Sequence, residues 1–257
     1  MSRKKSIVYG LIIPVGIVAA WYLYTTFSNV PDSLLPKIQN VIAALKEMVS
    51  RGQLQTDLAV SFMRVIKGFL VSGVIGILLG AAMGMSKKAS ALLLPTVTAI
   101  RQIPVIAWIP LIILWAGIGE TSKVVIIVIA ASFPVMINTL SGFNNTPSGF
   151  VEVAELYKLN RWQTFIKVYL PSALPQILTG LKLGLSVSWM ALVASELIAA
   201  TSGIGYRMND ARSLMRSDKV IVCMVVIGLA GIIMDKVISI IFERITPWEK
   251  VAESEGR

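Results

Sequence analysis

The chain has 257 residues, of which 55% are apolar and only 15% charged, with a formal net charge of +10. A soluble domain carries roughly 25% charged residues, so this composition excludes one and marks an integral membrane protein. A single cysteine, Cys223, and the absence of histidine exclude an intrachain disulfide framework, a cysteine-based metal site and the commonest general base near neutral pH. The lysines and arginines are scattered among apolar segments, as residues flanking membrane helices are, and no nucleic-acid partner is expected.

Six apolar stretches reach spanning length, about 20 residues each, near 7–27, 59–82, 91–116, 122–141, 173–198 and 220–242. An all-α integral membrane fold is therefore expected. The first stretch follows the basic start MSRKK and has the form of a signal peptide. No small-residue cleavage site follows it, so it is expected to remain as a membrane helix. Residues 28–57 contain LLPKIQNVIAALKEMVSRGQL, in which Ile38, Val41, Ile42, Leu45 and Val49 recur at helical spacing. They predict an amphipathic connector with one buried stripe near the membrane surface. The chain thus divides into an N-terminal helix with an external connector, 1–58, and a core, 59–257.

In the second stretch Gly73, Gly76, Gly80 and Gly84 mark a helix contact, because small residues let backbones approach in lipid. The third is interrupted by Pro95, Pro104 and Pro110 and carries Arg101. A broken helix is tolerated in a bilayer only against protein or water. Arg101 then either sits near an interface or faces a partner or an aqueous path. The RKK flank of the first span and the Lys87–Lys88 pair in a short loop favour cytoplasmic termini and a cytoplasmic loop at 141–172.

That loop opens with the turn signal TPSG at 146–149, and a short helix is expected over about 150–159. Asn160 with Gln163 has the form of a capping box, so a second helix is expected from Arg161 to Leu170, stopped by Pro171. Ser172 would cap the fifth span, with Pro175 in its first turn. Apolar residues wrap round both short helices, which fits either a lipid-surface connector or a helix docked in a partner's groove.

Among the remaining polar residues, Glu196 stands near the outer end of the fifth span and Asp235 lies inside the sixth, where each needs a partner, water or a proton. Lys182 can snorkel toward the cytoplasm. Trp108, Trp115, Trp189 and Trp248 form interface belts or line a path, and Trp189 is too deep for a belt. GIGETSK at 117–123 lacks the spacing and strand context of a phosphate-binding loop. A secondary transporter or channel would need paired repeats or a midplane ion site, and neither is evident. An intramembrane enzyme is disfavoured by the missing histidines and unpaired carboxylates.

Glu152, Val153 and Ala154, together with VYLPSALPQILTGLKLGLSVSW, IRQIPVIAWIPLIILWAGIGETSK, ASELIAATSGIGYRMNDAR and VIGLAGIIMDKVISIIFERITPW, resemble the permeases of ABC importers. The likeness covers most of the chain from about Ser61. It is nearest to the branch that imports nitrate, taurine and aliphatic sulfonates, and a vitamin precursor is the alternative solute. The resemblance implies a type I importer permease: a homodimer with six membrane helices per subunit in a bacterial inner or plasma membrane. It also implies two cytosolic ATP-binding subunits, which use ATP and Mg, and an extracellular or periplasmic solute-binding protein. No cofactor is expected in this chain, and it is expected not to be an enzyme. Glu152, Val153, Ala154, Tyr157, Lys158, Leu159 and Trp162 would form the coupling surface for the ATPase, with Glu152 in contact and Ala154 permitting close approach. Lys158 departs from the glycine that many members carry, so a bend there is open. Arg101, Trp189 and Glu196 are the candidates for a translocation path or gate.

Overall fold

The expected glycine contact lies at the centre of the molecule. In the computed structural model, which describes residues 3–28 and 30–247 and the backbone alone at 3–8, 10 and 11, three long helices form the core. These are α3 (Gln53–Met85), α6 (Glu120–Asn144) and α9 (Leu170–Ile198). α6 lies between the other two. A Cβ at Gly80 of α3 would fall 2.6 Å from the Thr139 Cβ and 2.6 Å from the Met136 carbonyl oxygen, while one at Gly184 of α9 would fall 2.8 Å from Val135 Cγ2. Only glycine permits backbones this close, and in lipid such packing replaces the hydrophobic effect as the driver of association.

The other elements sit round this core. α1 (Arg3–Phe27) is tied down near its end, where Trp21 Nε1 donates to the Pro36 carbonyl at 3.1 Å. α2 (Ile38–Ser50) rests on α11 (Ser217–Ile245). Its buried ridge is Ala44 and Met48 with Val41 half-buried, whereas Ile42, Leu45 and Val49 of the expected stripe are exposed. The apolar face is wider than the contact, so its remainder is free to meet lipid. Lys219 of α11 donates to Glu47 at 3.1 Å and holds that carboxyl below the usual carboxylate range.

The third expected span is two helices, α4 (Lys87–Ile100) and α5 (Val105–Ala116), bent by 94°. Pro95 and Pro110 lie inside them, and only Pro104 breaks the chain. The residue before proline is pushed out of the helical region, which explains the break. Among the described residues four helices are long and apolar enough to cross a membrane, or five if the bent pair is one span. The first expected span falls within α1, whose fully described apolar part is Ile12–Phe27. Trp248 lies outside the described residues.

Between α6 and α9 come α7 (Ser148–Leu156), the single turn α8 (Arg161–Thr164) and a π-helical turn, Phe165–Tyr169. α9 starts directly at Leu170, so Pro171 does not stop the helix and Ser172 is not its cap. Pro171 has no N–H, and in an α-helix its ring would press on the carbonyl four residues back. The wider turn, in which the Leu170 N–H donates to the Phe165 carbonyl, lets the helix pass through the proline unbroken. α10 (Ile204–Ser213) packs across the far ends of α9 and α11.

Candidate functional site

At the α7–α8 end the chain presents an exposed surface on a locally fixed frame. α7 ends in a Schellman motif. The Leu159 N–H donates to the Ala154 carbonyl at 3.0 Å and the Lys158 N–H to the Glu155 carbonyl at 2.9 Å. Lys158 takes φ 53°, so the bend is made without glycine. The left-handed region costs a residue with a Cβ on the order of 1 kcal/mol. Lys158→Gly is therefore expected to slow hydrogen exchange of the Leu159 amide by about fivefold, corresponding to about 1 kcal/mol of local stability. Unchanged exchange would show that the bend carries no strain.

α8 begins with the predicted capping box. The Gln163 N–H donates to Asn160 Oδ1 at 2.8 Å and the Asn160 N–H to Gln163 Oε1 at 2.9 Å. Glu152, Val153, Tyr157, Lys158 and Trp162 all face outward, and Leu159 is half-buried. With Phe150 and Leu156 they form an exposed patch of large apolar side chains. Ala154 does not belong to that outer face. It is 3% exposed and lines a groove with Phe150, Val153, Tyr157, Lys167, Val168 and Pro171. A small side chain there lets α7 lie against the start of α9.

At the opposite end the structure assembles a polar cluster that sequence reasoning missed. Asp57, Ser61 and Arg64 lie on one face of α3 at spacings of four and three, and all are buried. Arg64 Nη1 donates to Glu196 Oε1 and to the Ser202 carbonyl, both at 2.7 Å. Its Nε reaches Glu120 Oε2 at 3.0 Å, its Nη2 also pairs with Glu120, and Nη2 donates to Ser202 Oγ at 2.9 Å. Glu196 further accepts from Ser61 Oγ at 2.9 Å and from the Gly205 N–H at 3.0 Å. Asp57 accepts from Arg207 Nε at 2.7 Å and from the Gly203 N–H at 3.1 Å. Arg64 thereby ties α3, α6, α9 and the turn before α10 together. Gly203 has φ 108°, and a Cβ there would lie 2.3 Å from Glu196 Oε1, so the turn closes over the carboxylate only with glycine.

Lys123 is buried in the first turn of α6 with its ammonium on the Ala199 carbonyl. Trp189 is buried, stacks on Phe62 at 5.6 Å and donates to the Ile227 carbonyl at 3.2 Å. Asp235 pairs with Lys182 at 3.6 Å. Arg101 is exposed at the α4–α5 bend. Among the described residues no hydrogen bond or ring contact joins it to Trp189 or Glu196. A signal for the cluster was present in the sequence: an arginine and a glutamate within two apolar runs each need a partner.

Residues 72–250 match the profile of the family described as the binding-protein-dependent transport system inner membrane component. The chain is 36% identical over 254 residues to a putative ABC transporter permease of Methanocaldococcus jannaschii, covering 97% of this chain and 95% of that one. It is 37% identical over 223 residues to a putative aliphatic sulfonates transport permease of Escherichia coli, covering 87% and 85%. Among solved structures, an amino acid ABC transporter superposes with a TM-score of 0.64 at 18% identity, over 78% of this chain and 97% of that one. That last likeness is one of fold.

Proposed function

The chain belongs to the family of inner membrane components of binding-protein-dependent transport systems, and is the non-catalytic permease subunit of an ABC importer for a small solute; on that premise we propose that the solute is a small anion, a sulfonate, taurine or nitrate. The observation that carries the solute class is the likeness over most of the chain to a permease named for aliphatic sulfonates.

Two copies, each with six membrane helices, form the path between them, with the termini and the α7–α8 end in the cytoplasm. The irregular backbone at 101–104 and the exposed side chains of α5, Leu114 and Trp115 among them, support this. Broken backbone at membrane depth requires protein or water beside it, and a facing copy supplies both. Arg101 then faces the path, where a guanidinium suits an anion. Trp189 acts from within the wall, and Glu196 fixes the outer end as part of the Arg64 cluster, so neither needs to touch solute. Glu152, Val153, Tyr157, Lys158, Leu159 and Trp162 dock on a cytosolic ATP-binding subunit, with Ala154 seating α7 from inside. ATP binding there moves α7 and switches the path between its two openings.

The solute class is tested by isolating the cognate solute-binding protein and identifying what it retains. A sulfonate, taurine or nitrate is the expected result. A solute that is neither nitrate nor a bearer of a sulfonate group would overturn this part of the reading.

A further inference from the structure

If α7 and α8 dock on the ATPase, their movement still has to reach the membrane helices, and four aromatic rings connect the two. Trp162 of α8 stacks on Phe165 at 5.5 Å between centroids, Phe165 on Phe143 at 5.8 Å, and Phe143 on Tyr169 at 5.8 Å with only 6° between planes. Trp162 is exposed at one end of the row, whereas Phe143, near the end of α6, is 2% exposed. The π turn contributes the two rings, Phe165 and Tyr169, that bracket Phe143. Phe143 also meets α3, since a Cβ at Gly84 would lie 2.5 Å from its Cβ. It packs with Ala173 and Ile177 of α9 as well. One side chain of α6 therefore meets the loop segment and both other core helices. Beside the outer rings a groove of about 390 Å³, lined by Ala81, Met85, Trp162 and Phe165 among others, leaves room for them to shift against α3.

We propose that Phe143 is the positioning residue through which displacement of the α7–α8 segment is passed to the α3–α6 pair. This rests on the docking reading given above. Packed aromatic rings resist compression and hold their relative tilt, so a push on Trp162 and Phe165 moves Phe143. The close α3–α6 contact carries α3 along with α6. A leucine at 143 would fill much of the space without the flat faces that transmit tilt.

The test uses the full permease with its ATPase subunits in proteoliposomes. A reporter cysteine, Leu114→Cys, is placed on α5, where the native side chain is 78% exposed, and the native Cys223 is fully buried. The readout is the change in its modification rate by a membrane-impermeant maleimide on adding ATP and vanadate. With Phe143 intact the rate is expected to change by at least about fivefold. In Phe143→Leu the change is expected to fall below about twofold while ATP hydrolysis stays within about twofold, and Phe143→Tyr is expected to restore it. Phe165→Leu removes the next ring at a half-buried position and is expected to act as Phe143→Leu does, so it decides the matter if Phe143→Leu does not assemble. A full response in Phe143→Leu, or in Phe165→Leu where the former does not assemble, overturns the proposal. Glu152→Lys run in parallel separates the causes: if it abolishes the response while the ring variants keep it, only the relay fails. If Glu152→Lys keeps the response as well, the docking reading fails with it.

Discussion

Arg64→Leu is expected to lower the unfolding free energy of the solubilised permease by roughly 3–5 kcal/mol, the cost of leaving a buried charge without its partner. Arg64 and Glu196 are 4% and 0% exposed at their side chains and lie 2.7 Å apart. Removing the arginine leaves the Glu196 carboxylate with Ser61 and the Gly205 N–H alone. It also frees Glu120, but that side chain is 62% exposed, so water takes over most of its solvation and it adds little. The double variant Arg64→Leu/Glu196→Gln is expected to be more stable than Arg64→Leu, because the orphaned charge is gone. A double-mutant cycle by denaturant unfolding in detergent measures the coupling, expected at about 2 kcal/mol or more. Additive losses would mean that the two residues do not act as a pair.

This cluster shapes how the molecule can move. Arg64 joins α3, α6, α9 and the turn leading into α10, and Asp57 with Arg207 ties α3 to α10 again. The ends opposite α7 and α8 are thus held as one block. Under the proposed coupling, motion delivered from the α7–α8 end turns the block rather than separating its helices. Of the bent pair, α4 has no buried residue, whereas α5 buries Ile109 and Ile112 against α6 and α9.

What could be read from the sequence was local. The Asn160–Gln163 box closes within one turn, and the glycine line at Gly76, Gly80 and Gly84 repeats at helical spacing, so both are visible without knowing the fold. The partners of Arg64 were not, since Glu196 stands 132 residues away and only the packing of α3 against α9 brings them together. The cost of an isolated charge in an apolar run says that a partner exists, not which one. The π turn was hidden for a different reason. Pro171 reads as a stop, and whether a helix stops or widens at a proline depends on what the following turn packs against. Lys158 leaves the bend open in the sequence, and two backbone hydrogen bonds hold it in the left-handed region. Met215 does the same at the end of α10, with φ 56°.

The second large effect concerns Glu152. It is exposed on α7, and Lys is as good a helix former as Glu, so Glu152→Lys leaves the fold intact while reversing the charge on the proposed docking surface. Like charges set against each other across an interface cost several kcal/mol, and about 1.4 kcal/mol already corresponds to tenfold. Ala154→Asp is a poorer probe, because Ala154 is buried against the chain's own groove and a carboxylate there would damage the loop itself. The most direct test is uptake of the solute that the cognate binding protein retains, into proteoliposomes holding the permease, its ATPase subunits and that binding protein. With Glu152→Lys, solute taken up is predicted to fall by at least about tenfold while the purified permease keeps its unfolding midpoint. Uptake at the unaltered rate by a correctly folded Glu152→Lys permease would contradict the assignment of α7 as the coupling surface.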